Sequence, residues 1–365
     1  MDELLWKSMP EDCIDKILVR LPLPSAFRLR SVCKRWKSFI FSEAYFSLQS
    51  QLSSHRHCFL LCTQGHLACV YNFILEKWHY LPLPRIVLPI TIPPLSLASA
   101  SQSLFCFANQ VAECSVLFIC NPFTKSLKSL PAMSRIRFIH KVTVTVDPSD
   151  KSYKIMVAGE DGNQFSNPHV YKLLTEIYDS TTASWTMAGS PLPEAKFGSN
   201  PGVWCRGGFY CITEMPYGVV TFDMVAQSWK EIRAPMPACL ATPSLVECRG
   251  RLLMGGRIKH KAGQRPDSIK IWELKGSSEM AWTEVVRMPD SLCREFLQPL
   301  HSLTPLVCAG IDNFICITTH LSPRVLIYDL SSSVWRWLPE DPLFPKCRNF
   351  HLLGFSLEPR MDTLP

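Results

Sequence analysis

The chain has 365 residues, of which 47% are apolar and 19% are charged, and its formal net charge is +7. Charged residues are scarcer than the roughly 25% of an average soluble domain, which excludes a disordered chain and favours a large buried core. The length is consistent with about two domains, and so small a net charge gives little support to nucleic-acid binding.

The cysteines are expected to be reduced thiols in an intracellular protein. There are 16 of them, but the chain is long, and its opening residues MDELLWKSMPEDC contain neither the basic nor the apolar region of a secretory signal. We therefore expect the protein in the nucleus, the cytoplasm or both.

The first predicted element is an amphipathic helix that begins near residue 10. Ser8 and Glu11 have the spacing of a capping box, and Pro10 is tolerated in a first helical turn. Apolar residues then recur at i, i+3, i+4 and i+7, at Ile14, Ile17, Leu18 and Leu21. Pro22 and Pro24 are expected to end this helix.

Two more short helices are predicted before residue 41. Ser25 can cap one of them, and the other carries Trp36 and Phe39. Three short helices within about 35 residues are too small to enclose this much apolar surface by themselves. Part of that surface is therefore expected to meet a partner.

The run MPEDCIDKILVRLPLPSAFRLRSVCKRWKSF, residues 9–39, resembles an F-box. The shared features are a residue-Pro step, an acidic pair, an Ile-Leu pair, Leu-Pro and a closing Val-Cys-Lys-x-Trp. This resemblance implies docking on the Skp-type adaptor of a cullin-RING ubiquitin ligase. The implied contacts or direct supports are Met9, Pro10, Ile14, Ile17, Leu18, Leu21, Pro22, Val32, Cys33 and Trp36.

The same region is basic, with seven Lys or Arg and no Asp or Glu between Lys16 and Ser42. Adaptors of this type are acidic, so the resemblance implies that the basic residues meet acidic surroundings. A helical hairpin with a solvated basic face is the common alternative for such a run. Phosphate binding is a further alternative, but no nucleic-acid-binding signature follows in the sequence, and no nucleic-acid partner is expected.

Residues 86–112 contain no charged residue over a length that could cross a bilayer. Pro89, Pro93 and Pro94 would interrupt a helix, and Ser, Gln and Asn are frequent in the second half. Strands and turns fit this stretch better, and no membrane contact is expected.

Beyond residue 55 the chain repeats a short pattern six times. An apolar strand is followed by Asp, Asn or Glu, then by a large apolar residue and Pro. Five copies have a spacing of six residues: Asn72 and Trp78, Asn121 and Leu127, Asp179 and Trp185, Asp223 and Trp229, Asp329 and Trp335. In the sixth, Glu273 and Trp282 are three residues further apart. We expect each copy to be a hairpin with an Asx-turn and a Trp that packs between neighbouring sheets.

The polar residues of successive copies are 44 to 58 residues apart, close to the period of about 50 for kelch blades. The region resembles the kelch domain of plant F-box/kelch-repeat proteins. Six units of four strands predict an all-β propeller of six blades, closed by residues 58–62 and 350–359. The expected organisation is a small all-α F-box domain of three short helices with its connecting segment (1–54), a kelch-type propeller (55–359) and a C-terminal tail (360–365).

A concentrated basic loop follows the strand RLLMGG. The segment RIKHKAGQRPDS brings together several cationic or titratable side chains, with Asp267 as the opposing acid. These candidate target-binding residues are Arg257, Lys259, His260, Lys261 and Arg265. Propeller loops tolerate insertions and carry recognition, so an acidic or phosphorylated target is the functional interpretation. A solvated hairpin tip is the alternative.

No sequence motif of a phosphate-binding loop, a zinc peptidase or a serine hydrolase occurs, and no CxxC is present. We expect a non-catalytic protein without cofactor or metal. The best metal candidate is HRHCFLLCTQGHLAC, residues 55–69, where alternation favours buried thiols on strands over a zinc site.

Three classes of function follow from this sequence. The leading one is a substrate receptor, in which the F-box docks on the adaptor and the propeller captures an unknown target protein for ubiquitination. The second is a non-degradative scaffold or transcriptional co-regulator that uses the same propeller. The third, a propeller enzyme, has no recognisable site chemistry to support it.

Overall fold

The structure is a computed structural model, and it describes most of the chain. The described residues are 9–51, 58–63, 67–84, 86, 95–109, 115–161, 173–189, 196–259, 267–276, 279–298, 304–341 and 351–365.

In the described part of the N-terminal region there are four short helices: α1 (Glu11–Arg20), α2 (Leu23–Leu29), α3 (Lys34–Ile40) and α4 (Glu43–Gln51). Three were predicted, and α4 was missed. Pro10 and Pro22 occupy the N-cap positions of α1 and α2 and supply no side-chain cap, so Ser25 lies inside α2 and does not cap it. Ser8 lies outside the described residues.

The remaining chain forms six antiparallel sheets, the blades of a propeller. Blade 1 contains β25 (Leu352–Leu357), β1 (Cys58–Thr63), β2 (Ala68–Asn72) and β3 (Lys77–Tyr80); blade 2 contains β4 (Ser96–Ser101), β5 (Leu104–Ala108), β6 (Leu117–Asn121) and β7 (Ser126–Ser129). Blade 3 contains β8 (Ile136–Val146), β9 (Tyr153–Asp161), β10 (Leu173–Asp179) and β11 (Ser184–Ala188); blade 4 contains β12 (Lys196–Phe197), β13 (Val203–Cys205), β14 (Gly208–Glu214), β15 (Gly218–Asp223) and β16 (Ser228–Ile232). Blade 5 contains β17 (Leu240–Cys248), β18 (Arg251–Ile258), β19 (Ser268–Lys275) and β20 (Ala281–Arg287); blade 6 contains β21 (Leu306–Ile311), β22 (Phe314–Thr319), β23 (Ser322–Asp329) and β24 (Val334–Trp337). One helix, α5 (Asp290–Leu297), joins blades 5 and 6.

The six-bladed propeller predicted from the repeats is confirmed, and so is its closure. Strand β25 pairs antiparallel with β1, with Leu357 opposite Cys58 and Leu352 opposite Thr63. One blade is therefore built from both ends of the propeller region, which leaves no sheet open at the junction.

The repeated hairpins contain the predicted Asx-turns. The Oδ1 atom of Asn72 accepts hydrogen bonds from the backbone N–H groups of Ile74 and Leu75, both at 2.9 Å. Asn121, Asp179, Asp223 and Asp329 accept equivalent bonds from the residue two positions on, at 2.8 to 2.9 Å. In all five turns the residue four positions after the anchor has a positive φ: Glu76, Lys125, Ala183, Gln227 and Ser333.

Each of the four Trp residues in these five hairpins packs at a tilted or edge-on angle against an aromatic residue on the neighbouring strand. The ring centroids of Tyr71 and Trp78 are 5.2 Å apart, and the pairs in blades 3, 4 and 6 lie at 4.7 to 5.4 Å. The Trp229 indole N–H also donates to Thr175 of blade 3 at 2.9 Å. Trp229 is buried, whereas Trp78, Trp185, Trp282 and Trp335 are half-buried. The repeated Trp residues thus join adjacent blades, as predicted.

Blade 5 departs from the pattern at Glu273. Its carboxylate accepts two hydrogen bonds from the Arg251 guanidinium, at 2.7 and 2.9 Å, instead of capping its own turn. The three additional residues of this hairpin are accommodated at Gly276, where φ is +100°.

A channel of about 260 Å³ runs between the innermost strands of the six blades. Small residues let these strands approach one another closely. A Cβ at Gly310 of β21 would overlap the backbone carbonyl of Glu247 in β17, so this contact requires glycine.

The charge-free stretch at residues 86–112 contains β4 and β5, in agreement with the predicted strands. Within the part of the chain that the structure describes, we find no helix with the length and apolar character needed to span a bilayer.

Candidate functional site

Helices α1 to α4 form a unit that we call the helical module. Within it, an ion-pair cluster joins α1 and α3. The Arg35 guanidinium of α3 lies 2.9 Å from Asp15 Oδ1 and 3.3 Å from Glu11 Oε1, both on α1. This contact places the start of α3 beside the start of α1. One of the seven predicted basic residues is therefore used inside the module, while Lys16, Arg20, Arg28, Arg30, Lys34 and Lys37 are exposed.

The structure separates the predicted adaptor-binding residues by exposure. Pro10, Ile17, Val32 and Cys33 are exposed, with Ile17 at 38% and Val32 at 59%. Met9, Ile14, Leu21, Pro22 and Trp36 are half-buried. Leu18 is only 1% exposed, so it cannot contact a partner directly and instead packs beneath the exposed residues. Phe41, which is 42% exposed, lies at the end of α3 and was not among the predicted residues.

Cys33 is exposed, and it also caps the start of helix α3. Its sulfur accepts a hydrogen bond from the Trp36 backbone N–H at 3.4 Å, so Cys33 is the N-cap of α3. The predicted Val-Cys-Lys-x-Trp run therefore sets both the start of the helix and the direction of its aromatic residue.

The helical module is seated on the propeller through residues 358–365. The Asn121 amide donates hydrogen bonds to the backbone carbonyls of Arg360 and Thr363, at 3.0 and 2.8 Å. The Ser103 hydroxyl donates to the carbonyl of Glu358 at 2.8 Å, and Lys151 forms an ion pair with Asp362 at 3.3 Å. Residues 358–365, which include the six residues predicted as a tail, therefore contact blades 2 and 3 in a defined conformation. We call this segment the bracket.

Two residues from outside the module complete its core. Met361, fully buried, packs with Val19, Ile40 and Tyr45, and Phe123 of blade 2 packs against the same cluster. The short segment EPRMDTLP gave no sequence signal for this contact, because its apolar residues Met361 and Leu364 are too few to form a periodic pattern.

The contacts of the bracket all lie at one of the two faces of the propeller. Successive turns of an antiparallel sheet alternate between its two ends. Asn121, Ser103 and Lys151 all belong to turns at one end, which we call the F-box face. The connections from β5 to β6, β9 to β10, β14 to β15 and β18 to β19 lie at the other end, the distal face.

The basic loop belongs to the distal face, but its first residue is not a loop residue. Arg257 lies in β18, is 8% exposed and forms an ion pair with Asp267 at 2.5 Å. The sequence interpretation placed Arg257 in an exposed loop, and the structure corrects this because β18 extends to Ile258. Lys259 is half-buried, and His260, Lys261 and Arg265 lie outside the described residues.

A polar cluster around the buried His320 links blades 1, 4, 5 and 6 near the distal face. His320 Nδ1 lies 2.9 Å from His351 Nε2, and His320 Nε2 lies 3.2 Å from Asn200 Oδ1. The Asn200 amide donates to the carbonyls of Pro243 and Leu306, both at 3.0 Å. Burial and, to a smaller extent, the nearby His351 lower the pKa of His320 to about 4, so His320 is neutral at pH 7. Sequence reasoning missed this cluster, since its members are 31 to 151 positions apart.

Most of the described cysteines are buried free thiols. Cys58, Cys62 and Cys69 are buried on β1 and β2, as the alternation predicted, and burial raises the pKa of Cys62 to about 12. Among the described residues no group of three or more His, Cys, Asp or Glu side chains could hold a metal ion. His55, His57 and His66 lie outside the described residues.

Comparison with known families assigns both regions. Residues 6–47 match the F-box domain, and residues 70–329 match the KIB1-4 beta-propeller family, which covers more than half of the chain.

Several plant proteins are similar over nearly the whole chain. The protein UNUSUAL FLORAL ORGANS of Arabidopsis thaliana is 28% identical, over 94% of this chain and 80% of that protein. ABERRANT PANICLE ORGANIZATION 1 of Oryza sativa subsp. indica is 28% identical, over 100% of this chain and 90% of that protein. An F-box/kelch-repeat protein of Arabidopsis thaliana is 28% identical, over 100% of this chain and 89% of its own length. Among solved structures, YjhT matches 73% of this chain and 88% of its own at 10% identity, with a TM-score of 0.47.

Proposed function

Because the chain belongs to the KIB1-4 beta-propeller family and carries an F-box domain, we propose that it is the substrate-recognition subunit of an SCF-type ubiquitin ligase. The F-box docks on the Skp-type adaptor, and through it on a cullin-RING ligase. The propeller captures a target protein, in the nucleus, the cytoplasm or both. The chain itself carries out no chemistry, and its contribution is to hold target lysines near the ubiquitin-loaded enzyme.

The observation that carries this proposal is the apolar surface of the helical module. Ile17 and Val32 are exposed although the module has a buried core of its own, built around Val19, Ile40 and Tyr45. Exposed aliphatic residues next to exposed Lys and Arg are suited to an interface with an acidic protein that has apolar grooves.

The distal face is the better candidate for target capture. The F-box face is partly covered by the helical module and the bracket. The distal face is at the other end of every blade, and the strand ends that flank residues 260–266 lie there. A target bound at this face would not compete with the adaptor for the same surface.

Adaptor binding is tested with an Ile17→Glu/Val32→Glu variant of the full chain. Both side chains are exposed, so the fold is expected to persist, while two buried charges at the interface should weaken adaptor binding by more than about tenfold. Val225→Glu, on an exposed turn of blade 4, is the matched control. Co-purification with the adaptor and melting temperature are measured for all three proteins. Wild-type adaptor binding by the double variant would contradict the assignment.

Target capture is tested by affinity purification and mass spectrometry, using wild type and a Lys259→Glu/Lys261→Glu/Arg265→Glu variant. If the basic loop contacts an acidic target, the variant loses that target and keeps the adaptor. Equal capture would place recognition elsewhere on the propeller. The half-life of a captured target after depletion of the receptor separates degradation from the alternative of a non-degradative scaffold or transcriptional co-regulator.

A further inference from the structure

A cavity of about 540 Å³ lies where the helical module meets blades 1 and 2. Phe27 of α2 and the following C-cap residue Arg30 line one side, and Ile74, His79 and Lys125 of the propeller line the other. Its volume is within the range of roughly 300–1,000 Å³ that is typical of small-molecule sites. Neither region forms this cavity alone, since each supplies part of the wall.

The described charged groups that line the cavity are cationic. Arg20, Arg30 and Lys125 are exposed at its wall, and the described residues of the lining include no Asp or Glu. The rest of the lining is largely apolar, with Phe27, Tyr80 and several prolines. An anionic group would be attracted by the cations, and an apolar body would be buried among the rings.

His79 also lines the cavity. Burial lowers the pKa of His79, and the charges of Arg28 and Lys77 add to the effect, so the ring is neutral at pH 7. The imidazole therefore extends the ring-lined part of the wall without adding a charge.

We propose that this cavity binds an anionic small molecule with an apolar body of about two rings. The anion lies near Arg30 and Lys125, and the apolar body packs against Phe27 and Ile74. A ligand in this position contacts the helical module and the propeller at once. It would therefore stabilise their junction whether or not the propeller captures a ubiquitination target.

The repeated turns provide a matched pair of variants for the test. Ile74 and Val225 both lie two residues after the anchor of an Asx-turn, and they are 66% and 96% exposed, but only Ile74 lines the cavity. Ile74→Trp should fill the cavity, whereas Val225→Trp adds the same indole to an exposed turn. The probe is the anionic dye 8-anilinonaphthalene-1-sulfonate, which has two aromatic ring systems, titrated by fluorescence into the full-length protein.

Wild type and Val225→Trp are expected to bind one equivalent of the dye with similar affinity, and Ile74→Trp to bind it about tenfold more weakly. Equal binding by all three proteins would mean that the dye reports general apolar surface and would overturn the proposal. No binding to wild type would overturn it as well.

The charge requirement is tested separately. Arg30→Glu/Lys125→Glu should weaken dye binding by about tenfold or more, while Lys230→Glu, on the exposed side of β16, should not. The uncharged analogue N-phenyl-1-naphthylamine should bind wild type more weakly than the sulfonate does and should not distinguish the charge variants. A sulfonate affinity that is unchanged by the double reversal would contradict an anion site. None of these readouts depends on the adaptor or on a target, so their failure leaves the receptor proposal intact.

Discussion

The propeller and the helical module are stabilised in different ways. Each blade of the propeller contains its own turn and, in most blades, its own aromatic pair, and the ring is closed by the pairing of β25 with β1. The helical module has a small core that incorporates Met361 and Phe123 from outside. The module should therefore depend on the propeller, while the propeller should not depend on the module. The experiments below test this asymmetry.

The largest effect is expected from removing residues 352–365. This deletion takes away β25 and leaves blade 1 with three strands and an unpaired edge, so the ring cannot close. We expect insoluble protein or the loss of a cooperative thermal transition. A soluble product with the wild-type melting temperature would rule out this closure scheme.

A shorter deletion, of residues 359–365, tests whether the helical module depends on the bracket while the propeller stays closed. It keeps β25 but removes Met361 and both acceptors of the Asn121 amide. Hydrogen exchange should show faster exchange in α1, α3 and α4, with little change in the blades. Unchanged protection of the helices would show that the module is independent of the bracket.

Within the propeller, Trp229→Ala should lower the free energy of unfolding by about 3–5 kcal/mol, because the indole is buried and bonded to the preceding blade. Trp335→Ala removes the equivalent, half-buried indole of blade 6 and should cost less. Urea unfolding followed by circular dichroism compares the two. Equal losses of unfolding free energy would mean that the greater burial of Trp229 does not make it more stabilising than Trp335.

Acid should destabilise the propeller through His320. The pKa of this buried ring is about 4 in the folded protein, below its ordinary value of 6.5, so the unfolded chain binds the proton first. The contribution to stability is complete above about pH 6.5 and is lost as the pH falls towards 4, by up to about 3 kcal/mol. His320→Gln should flatten the dependence of melting temperature on pH in this window. An identical slope in wild type and variant would show that another group is responsible.

The smallest effect is expected within the helical module, at Arg35. Its side chain is 35% exposed, so replacing it with Gln removes two solvent-screened ion pairs and should cost about 1 kcal/mol or less. Exchange protection of α1 should fall slightly, and high salt should reduce the difference between variant and wild type. Lys34→Gln, at the neighbouring exposed position, is the control. A loss of several kcal/mol would mean that Arg35 is a core element of the module.

The sequence predicted the parts of the fold that depend on local chemistry. The resemblance to plant F-box/kelch-repeat proteins is confirmed. The anchors at Asn72, Asn121, Asp179 and Asp223 were recognisable because an Asx-turn involves only adjacent residues. The closing strands were recognisable because a propeller with both termini in one blade requires them.

The features that escaped prediction depend on distant partners. Helix α4 was missed because Tyr45, Phe46 and Leu48 do not form a clear apolar stripe in a nine-residue segment. Arg257 was assigned to a loop because its pairing with Asp267 arises only when β18 and β19 form a hairpin. Met361 was missed because its packing partners are more than 200 residues earlier in the chain.

The bracket has a consequence for how a captured protein would be modified. The chain leaves the propeller at Leu357, directly opposite its entry at Cys58, and the Asn121 amide fixes the segment between Leu357 and the helical core. In a receptor of this kind, the propeller and the adaptor-binding helices are connected rigidly and not by a flexible linker. In the proposed ligase, the ubiquitin-carrying enzyme would reach only one zone of a bound target. The choice of lysine would then depend on where that lysine lies in space, and not on the residues that surround it in sequence.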